Sequence, residues 1–146
     1  MKNIILRFAV VGFGERGRRV AETMEACKKY PARCVAAADI LSPKPEDTAR
    51  FGAHFYPDYK DLIKKEKGLD FVIIATWEAF HVEQALAFLR QGIPVYLEKA
   101  VSNTWQGAVK LYREAVRRKY PLFIGYNLRR VPASKVTAKV LKAGKI

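Results

Sequence analysis

Val10-Val11-Gly12-Phe13-Gly14-Glu15-Arg16-Gly17 follows the apolar run Ile4–Val11 and opens a run of helical spacing, Glu15–Tyr30. Strand, glycine turn, helix is the setting in which G-x-G-x-x-G points to a dinucleotide. Each glycine has its own physical reason there. Gly12 turns the chain off the strand. Gly14 leaves room for a pyrophosphate to reach the backbone, and Gly17 lets the helix pack closely on the sheet. The helix N-terminus adds free N–H donors and the positive end of a dipole. Glycine clusters also occur in ordinary turns, so the motif must be weighed with the rest of the chain.

Beyond the motif, strands and helices alternate regularly. Cys34–Ile40 reads as a second apolar strand. Pro43, Pro45 and Glu46-Asp47 open a short helix to Phe51, which Gly52 ends. His54–Tyr56 is a brief strand. Asp58 caps a small helix through Lys65, with Gly68 as its stop. Asp70–Thr76 is a strand, and Glu78–Gln91 a helix with Ala79, Val82, Leu86 and Leu89 inward. Val95–Leu97, the helix Thr104–Tyr120, the strand Leu122–Tyr126 and the helix Pro132–Lys142 complete the series. In the first helix Val20, Met24 and Cys27 form the inward stripe. Repeated βα units predict an α/β fold, a Rossmann-type doubly wound parallel sheet in three layers. The 146 residues suffice for one domain with a sizeable core.

The formal net charge of +13 is unevenly placed. Met1–Thr104 holds 16 Lys/Arg against 13 Asp/Glu, whereas Trp105–Ile146 holds 11 against one. A basic tail can mark nucleic acid, a solvated helix face, or a surface covered by another body. No aromatic platform or nucleic-acid motif accompanies it, which argues against nucleic acid. Two cysteines, Cys27 and Cys34, form no disulfide framework or metal spacing. They read as reduced, buried and structural, in a cytoplasmic protein without a metal. No leader or membrane span is expected, because no apolar run approaches the ~20 residues a span needs.

Asp39 ends the second strand, where a carboxylate accepts hydrogen bonds from adenosine ribose hydroxyls and repels a 2′-phosphate. That favours NAD over NADP, although Arg16, Arg18, Arg19 and Lys44 offer charge to a phosphate. The same residue also suits a plain capping role. Thr76 ends the fourth strand at the carboxyl edge, where open α/β sheets bind ligands, with Trp77 next and His81 one turn further on. Glu98-Lys99 ends the fifth strand at that edge. A lysine there is placed to hydrogen-bond a substrate hydroxyl and help remove its proton. The bland alternative is an exposed ion pair of small energetic weight.

Taken together, Gly12–Gly17, Asp39, Thr76 with His81, Glu98-Lys99 and Gly125-Tyr126-Asn127-Leu128-Arg129 resemble the Gfo/Idh/MocA oxidoreductases over essentially all 146 residues. The resemblance implies hydride transfer between a nicotinamide cofactor and a sugar, polyol or related hydroxyl compound. Lys99 inherits the catalytic position. Gly12, Phe13, Gly14, Glu15, Arg16, Gly17, Asp39, Thr76, Trp77, His81, Glu98, Lys99, Asn127 and Arg129 inherit the cofactor side. Two positions depart from the family pattern. Ala100 stands where proline usually follows the lysine, which removes the usual reason for a cis bond there. Trp77 stands where proline often follows the threonine. Members continue into a second domain that carries the substrate pocket, a further histidine and usually the oligomer interface. Residues 1–146 therefore read as the dinucleotide-binding domain alone, with little turnover expected of it. Two rivals stay open: a non-catalytic NAD-binding sensor or subunit, and a basic nucleic-acid-binding protein.

Overall fold

The computed structural model describes residues 4–145. Six strands form one sheet, all pairs parallel, in the order β3-β2-β1-β4-β5-β6. The strands are β1 (Leu6–Val11), β2 (Ala32–Ala38), β3 (His54–Tyr56), β4 (Phe71–Ile74), β5 (Val95–Leu97) and β6 (Leu122–Ile124). The helices are α1 (Glu15–Glu25), α2 (Pro45–Phe51), α3 (Tyr59–Lys65), α4 (Glu78–Arg90), α5 (Trp105–Arg118) and α6 (Pro132–Lys142), with a 3-10 turn at Asn127–Arg130. The order of strands reverses direction between β1 and β4. That is the switch point at which a doubly wound sheet opens a crevice at its carboxyl edge.

Side chains alternate across the sheet. Phe8 and Val10 pack with α1 and α2 through Val20, Ala21 and Phe51. Ala9 and Val11 face the other layer, with Leu62 of α3, Ala85, Phe88 and Leu89 of α4, and Leu111 and Ala115 of α5. The three-layer expectation thus holds, and the apolar run of β1 is explained by burial on both faces. Phe8, Leu62, Ile73, Phe88 and Leu111 are fully buried. Each such side chain contributes roughly 1.5–3 kcal/mol by leaving water.

Local chemistry sets several ends. The Asp58 carboxylate accepts from the Lys60 N–H and the Thr104 hydroxyl from the Gly107 N–H, capping α3 and α5. Gly52 closes α2 in the left-handed region at φ 57°. Other expectations are corrected. Helix α1 stops at Glu25 rather than Tyr30, because the chain must come back to the sheet: Pro31 O accepts from Leu6 N and the Glu25 carboxylate from Cys34 N. Cys27 consequently lies beyond the helix and is only partly buried, whereas Cys34 is buried. Helix α3 ends at Lys65 with Glu66 at its C-cap, so Gly68 is not its stop. The first turn of α4 starts past the end of β4, which leaves Ala79 exposed; His81, Gln84, Ala85, Leu86, Phe88 and Leu89 are the buried positions.

Candidate functional site

The glycine loop sits at the carboxyl edge between β1, β2 and β4. Gly12 has φ 85°, and its N–H donates to Ala38 O at 2.8 Å. A Cβ there would lie 2.7 Å from the backbone of Ala75 and Thr76. At Gly17 a Cβ would lie 2.0 Å from Gly12 O, so α1 packs against the turn itself. Gly14 differs from both. It is the N-cap of α1 with φ −70°, and a Cβ there would meet no atom within 4 Å. Gly12 and Gly17 are demanded by the fold, while the space at Gly14 is open toward the N-terminus of α1. That opening fits a phosphate approaching the backbone.

Asp39 lies directly after β2, and its carboxylate bridges two loops. Oδ2 accepts from Phe13 N at 2.7 Å and Oδ1 from Leu41 N at 3.0 Å. Each oxygen keeps further acceptor capacity. The Phe13 ring is buried against Phe51 and Phe55, which pins the loop through the core rather than offering the ring to a ligand. Arg18 supports the same loop: Nη1 donates to Phe13 O at 3.2 Å and lies 3.4 Å from the Asp47 carboxylate. Glu15 stays exposed.

Across the crevice, β5 delivers Glu98 and Lys99. The Glu98 side chain is buried, and its Oε1 accepts from Arg16 Nη2 at 2.7 Å and from Tyr96 Oη at 3.2 Å. The hydrogen bond to Glu98 holds Arg16 still more firmly in its charged form. Burial, then the charge and hydrogen bond of Glu98, push the Tyr96 hydroxyl up. Tyr96 Oη also lies 3.5 Å from the Asn127 side-chain amide, and its ring stacks on Phe123. Lys99 is exposed at the same edge, and the Lys99–Ala100 peptide is cis although no proline stands there.

His81 requires a correction. It was expected on the ligand side, yet it is 0 % exposed. Its Nδ1 lies 2.6 Å from Ala100 O and its Nε2 3.0 Å from Thr76 O. Both neighbours are carbonyl acceptors, so either neutral tautomer donates to one of them while the ring fills the space between the ends of β4 and β5. Thr76 Oγ1 donates to Gln84 Oε1 at 2.6 Å, while Trp77 is 77 % exposed. The side chain of Arg129 lies outside the described residues.

Tyr96 and Gln84 are the members absent from the sequence reading; Arg18 enters it only as charge for a phosphate, and Gly125 only as part of the family motif. Tyr96 had a usable signal, being two residues before Glu98 and so on the same face of its strand. Gly125 has another: a Cβ there would come within 2.7 Å of Tyr96 Oη and 3.1 Å of Glu98 Oε1. Surface grooves also lie elsewhere. One of about 790 Å³ follows α5 and β6, lined by Trp105, Tyr112, Val116 and Leu122. Among the described residues no group of His, Cys, Asp and Glu could hold a metal, and no helix is long and apolar enough to cross a membrane.

Comparison with known proteins agrees with this geometry. The profile of the Gfo/Idh/MocA oxidoreductase family, NAD-binding Rossmann fold, matches residues 6–126. The rhizopine catabolism protein MocA of Rhizobium meliloti is 30% identical over 138 residues, which are 94% of this chain and 43% of that protein. An inositol 2-dehydrogenase/D-chiro-inositol 3-dehydrogenase of Halalkalibacterium halodurans is 28% identical over 111 residues, 74% of this chain and 31% of its own length. The chain therefore spans less than half of the curated relatives it matches. The solved myo-inositol 2-dehydrogenase of Lactobacillus plantarum superposes with a TM-score of 0.87 at 24% identity, covering 98% of this chain and 42% of that one. At that identity the likeness speaks for the fold.

Proposed function

This chain belongs to the Gfo/Idh/MocA oxidoreductases, a family with an NAD-binding Rossmann fold, and from that premise we propose that it is the cofactor-binding part of a dehydrogenase of sugars or polyols. Relatives named as inositol dehydrogenases support a cyclic polyol as the substrate of the longer enzyme. One observation carries the reading of the site. The Asp39 carboxylate binds the backbone of the glycine loop at Phe13 while Gly14, the next residue, stands open at the start of α1.

In this reading Gly12 and Gly17 shape the loop, and the N–H groups of Gly14, Glu15 and Arg16 receive the pyrophosphate. Asp39 takes the ribose hydroxyls and disfavours a 2′-phosphate. Thr76, Trp77, Glu98 and Asn127 border the other half of the crevice, with Arg129 beyond. His81 is buried between the Thr76 and Ala100 carbonyls and supports the crevice edge from within. Lys99 faces substrate and takes up or shares the hydroxyl proton. Bound NAD⁺ supplies the hydride acceptor. The free thiols of Cys27 and Cys34 support a reducing, cytoplasmic setting. A non-catalytic NAD-binding subunit is the second reading. Trp77, exposed where the family often has proline, is the observation in its favour.

Isothermal titration with NADH and NADPH tests the site. NADH should bind more tightly, and Asp39→Ala should weaken NADH by about 1–3 kcal/mol through loss of charged hydrogen bonds. NADPH binding as tight as NADH would overturn the role of Asp39. Turnover of a polyol by the longer enzyme, abolished by Lys99→Ala, separates the dehydrogenase from the non-catalytic subunit.

A further inference from the structure

The Arg16–Glu98 pair spans the crevice. Arg16 lies in the first turn of α1, beside the open Gly14, and Glu98 directly follows β5 on the far side of β4. The two charges meet at 2.7 Å across 82 residues of sequence, with the Arg16 side chain 46% and the Glu98 side chain 6% exposed. Among the described residues, Arg16 is the cation that Glu98 bonds; the Tyr96 hydroxyl adds a neutral donor. A buried carboxylate whose one charge partner is half-exposed is sensitive to the loss of that partner.

This placement matters because the two forms of a nicotinamide cofactor differ by one charge. The ring of NAD⁺ is cationic and that of NADH neutral, while ribose, adenine and pyrophosphate are the same in both. In a doubly wound sheet the dinucleotide crosses the switch point, its pyrophosphate at the first helix and its second half toward the strands beyond β4. Glu98 directly follows the first of those strands. We propose that Arg16 is a specificity-determining residue that compensates the Glu98 carboxylate and thereby sets the balance of affinity between the oxidised and reduced cofactor. The inference rests on the proposed NAD site and goes beyond it. It concerns which redox form the site prefers, not whether it binds a dinucleotide.

Opposite signs are expected for the two partners. Arg16→Gln leaves an uncompensated carboxylate and should favour NAD⁺. Glu98→Gln leaves an uncompensated guanidinium and should favour NADH. Any contact between Arg16 and the pyrophosphate is common to both forms and cancels in the ratio. The ratio Kd(NAD⁺)/Kd(NADH) should fall about threefold to tenfold in Arg16→Gln and rise by a similar factor in Glu98→Gln, the size expected for one charge at a partly solvated site. Arg16→Lys keeps the charge and should leave the ratio near the parent value. The double variant should return toward it.

The measurement is titration of the parent chain and these four variants with NAD⁺ and with NADH, each variant first checked for parental circular dichroism. A partner that serves only as support would weaken both forms alike, so an unchanged ratio in both Arg16→Gln and Glu98→Gln overturns the inference. Shifts of the same sign in the two variants overturn it as well. Should Glu98→Gln fail to fold, Arg16→Gln against Arg16→Lys decides alone. If the parent binds neither form, the cofactor reading itself fails; if it binds both and the ratio stays put in the variants, only the role of Arg16 in redox preference does.

Discussion

At the scale of single residues, three glycines of one motif turn out to have different physical reasons. Gly12 needs a left-handed φ of 85° and a close approach to Ala75 and Thr76; Gly17 needs contact with Gly12 O. Gly14 needs neither, since its φ of −70° suits any residue and a Cβ would be free of contacts. Gly14→Val should therefore fold with a melting temperature close to the parent and lose NADH binding. Gly12→Ala should instead destabilise by about 2 kcal/mol or more, through backbone strain and steric overlap. Thermal melts with NADH titration check both. A Gly14→Val protein that binds NADH normally would reduce the loop to an ordinary turn. His81 makes a similar point in reverse. It has the chemistry of a site residue, but it is buried between two carbonyl oxygens at the ends of β4 and β5.

At the scale of elements, α5 shows how a basic helix is organised. Its one acid, Glu114, binds both Arg117 and Arg118. Hydrogen bonds from Arg117 and then Arg118 hold the Glu114 carboxyl down at about 2, against an ordinary 4.5. The folded value is the lower one, so the stabilisation is fully present above pH 4.5 and disappears as pH falls toward about 2. Melting of the parent and of Glu114→Gln across that window should show a gap that closes with acid. A gap that is constant from neutral pH to pH 2 would mean that the ion pairs contribute nothing through their charge. The effect should be modest and salt-sensitive, as for any exposed pair. Helix α6 stands apart: it has no buried residue, and Val136 and Leu141 are 60% and 56% exposed.

At the scale of the molecule, charge and apolar exposure coincide. The segment from Trp105 onward holds 11 cations against one acid, and on α5 Trp105 and Tyr112 are 79% and 67% exposed. Trp105 shares one groove of α5 with Lys110, Arg113 and Arg117, and a second with Tyr112 and Lys119. Like charges gathered on one side repel, and the repulsion is screened as the Debye length shortens from about 30 Å at 0.01 M salt to about 8 Å at 0.15 M. The melting temperature should rise over that range in sodium chloride. A fall would show that the favourable ion pairs, including Arg16–Glu98 and Arg18–Asp47, outweigh the net charge of +13.

The order of elements, the parallel sheet, the glycine turn and the cap at Asp58 were legible in sequence because each depends on neighbours a few residues away. Hydrophobic periodicity, φ preference and side-chain capping are local properties. The partnership of Asp39 with the glycine loop could be anticipated from spacing within one βα unit, although its hydrogen bond to Phe13 N could not. Arg16 with Glu98, Tyr96 against Gly125, and His81 between Thr76 and Ala100 depend on which strands lie side by side and how far each helix overhangs the sheet. Ala79 belongs with them, since its periodicity says inward but no layer lies beneath the first turn of α4. Periodicity chooses the face of a helix; only the packed sheet decides where that face runs out of core. The same packing brings charges 82 residues apart to 2.7 Å.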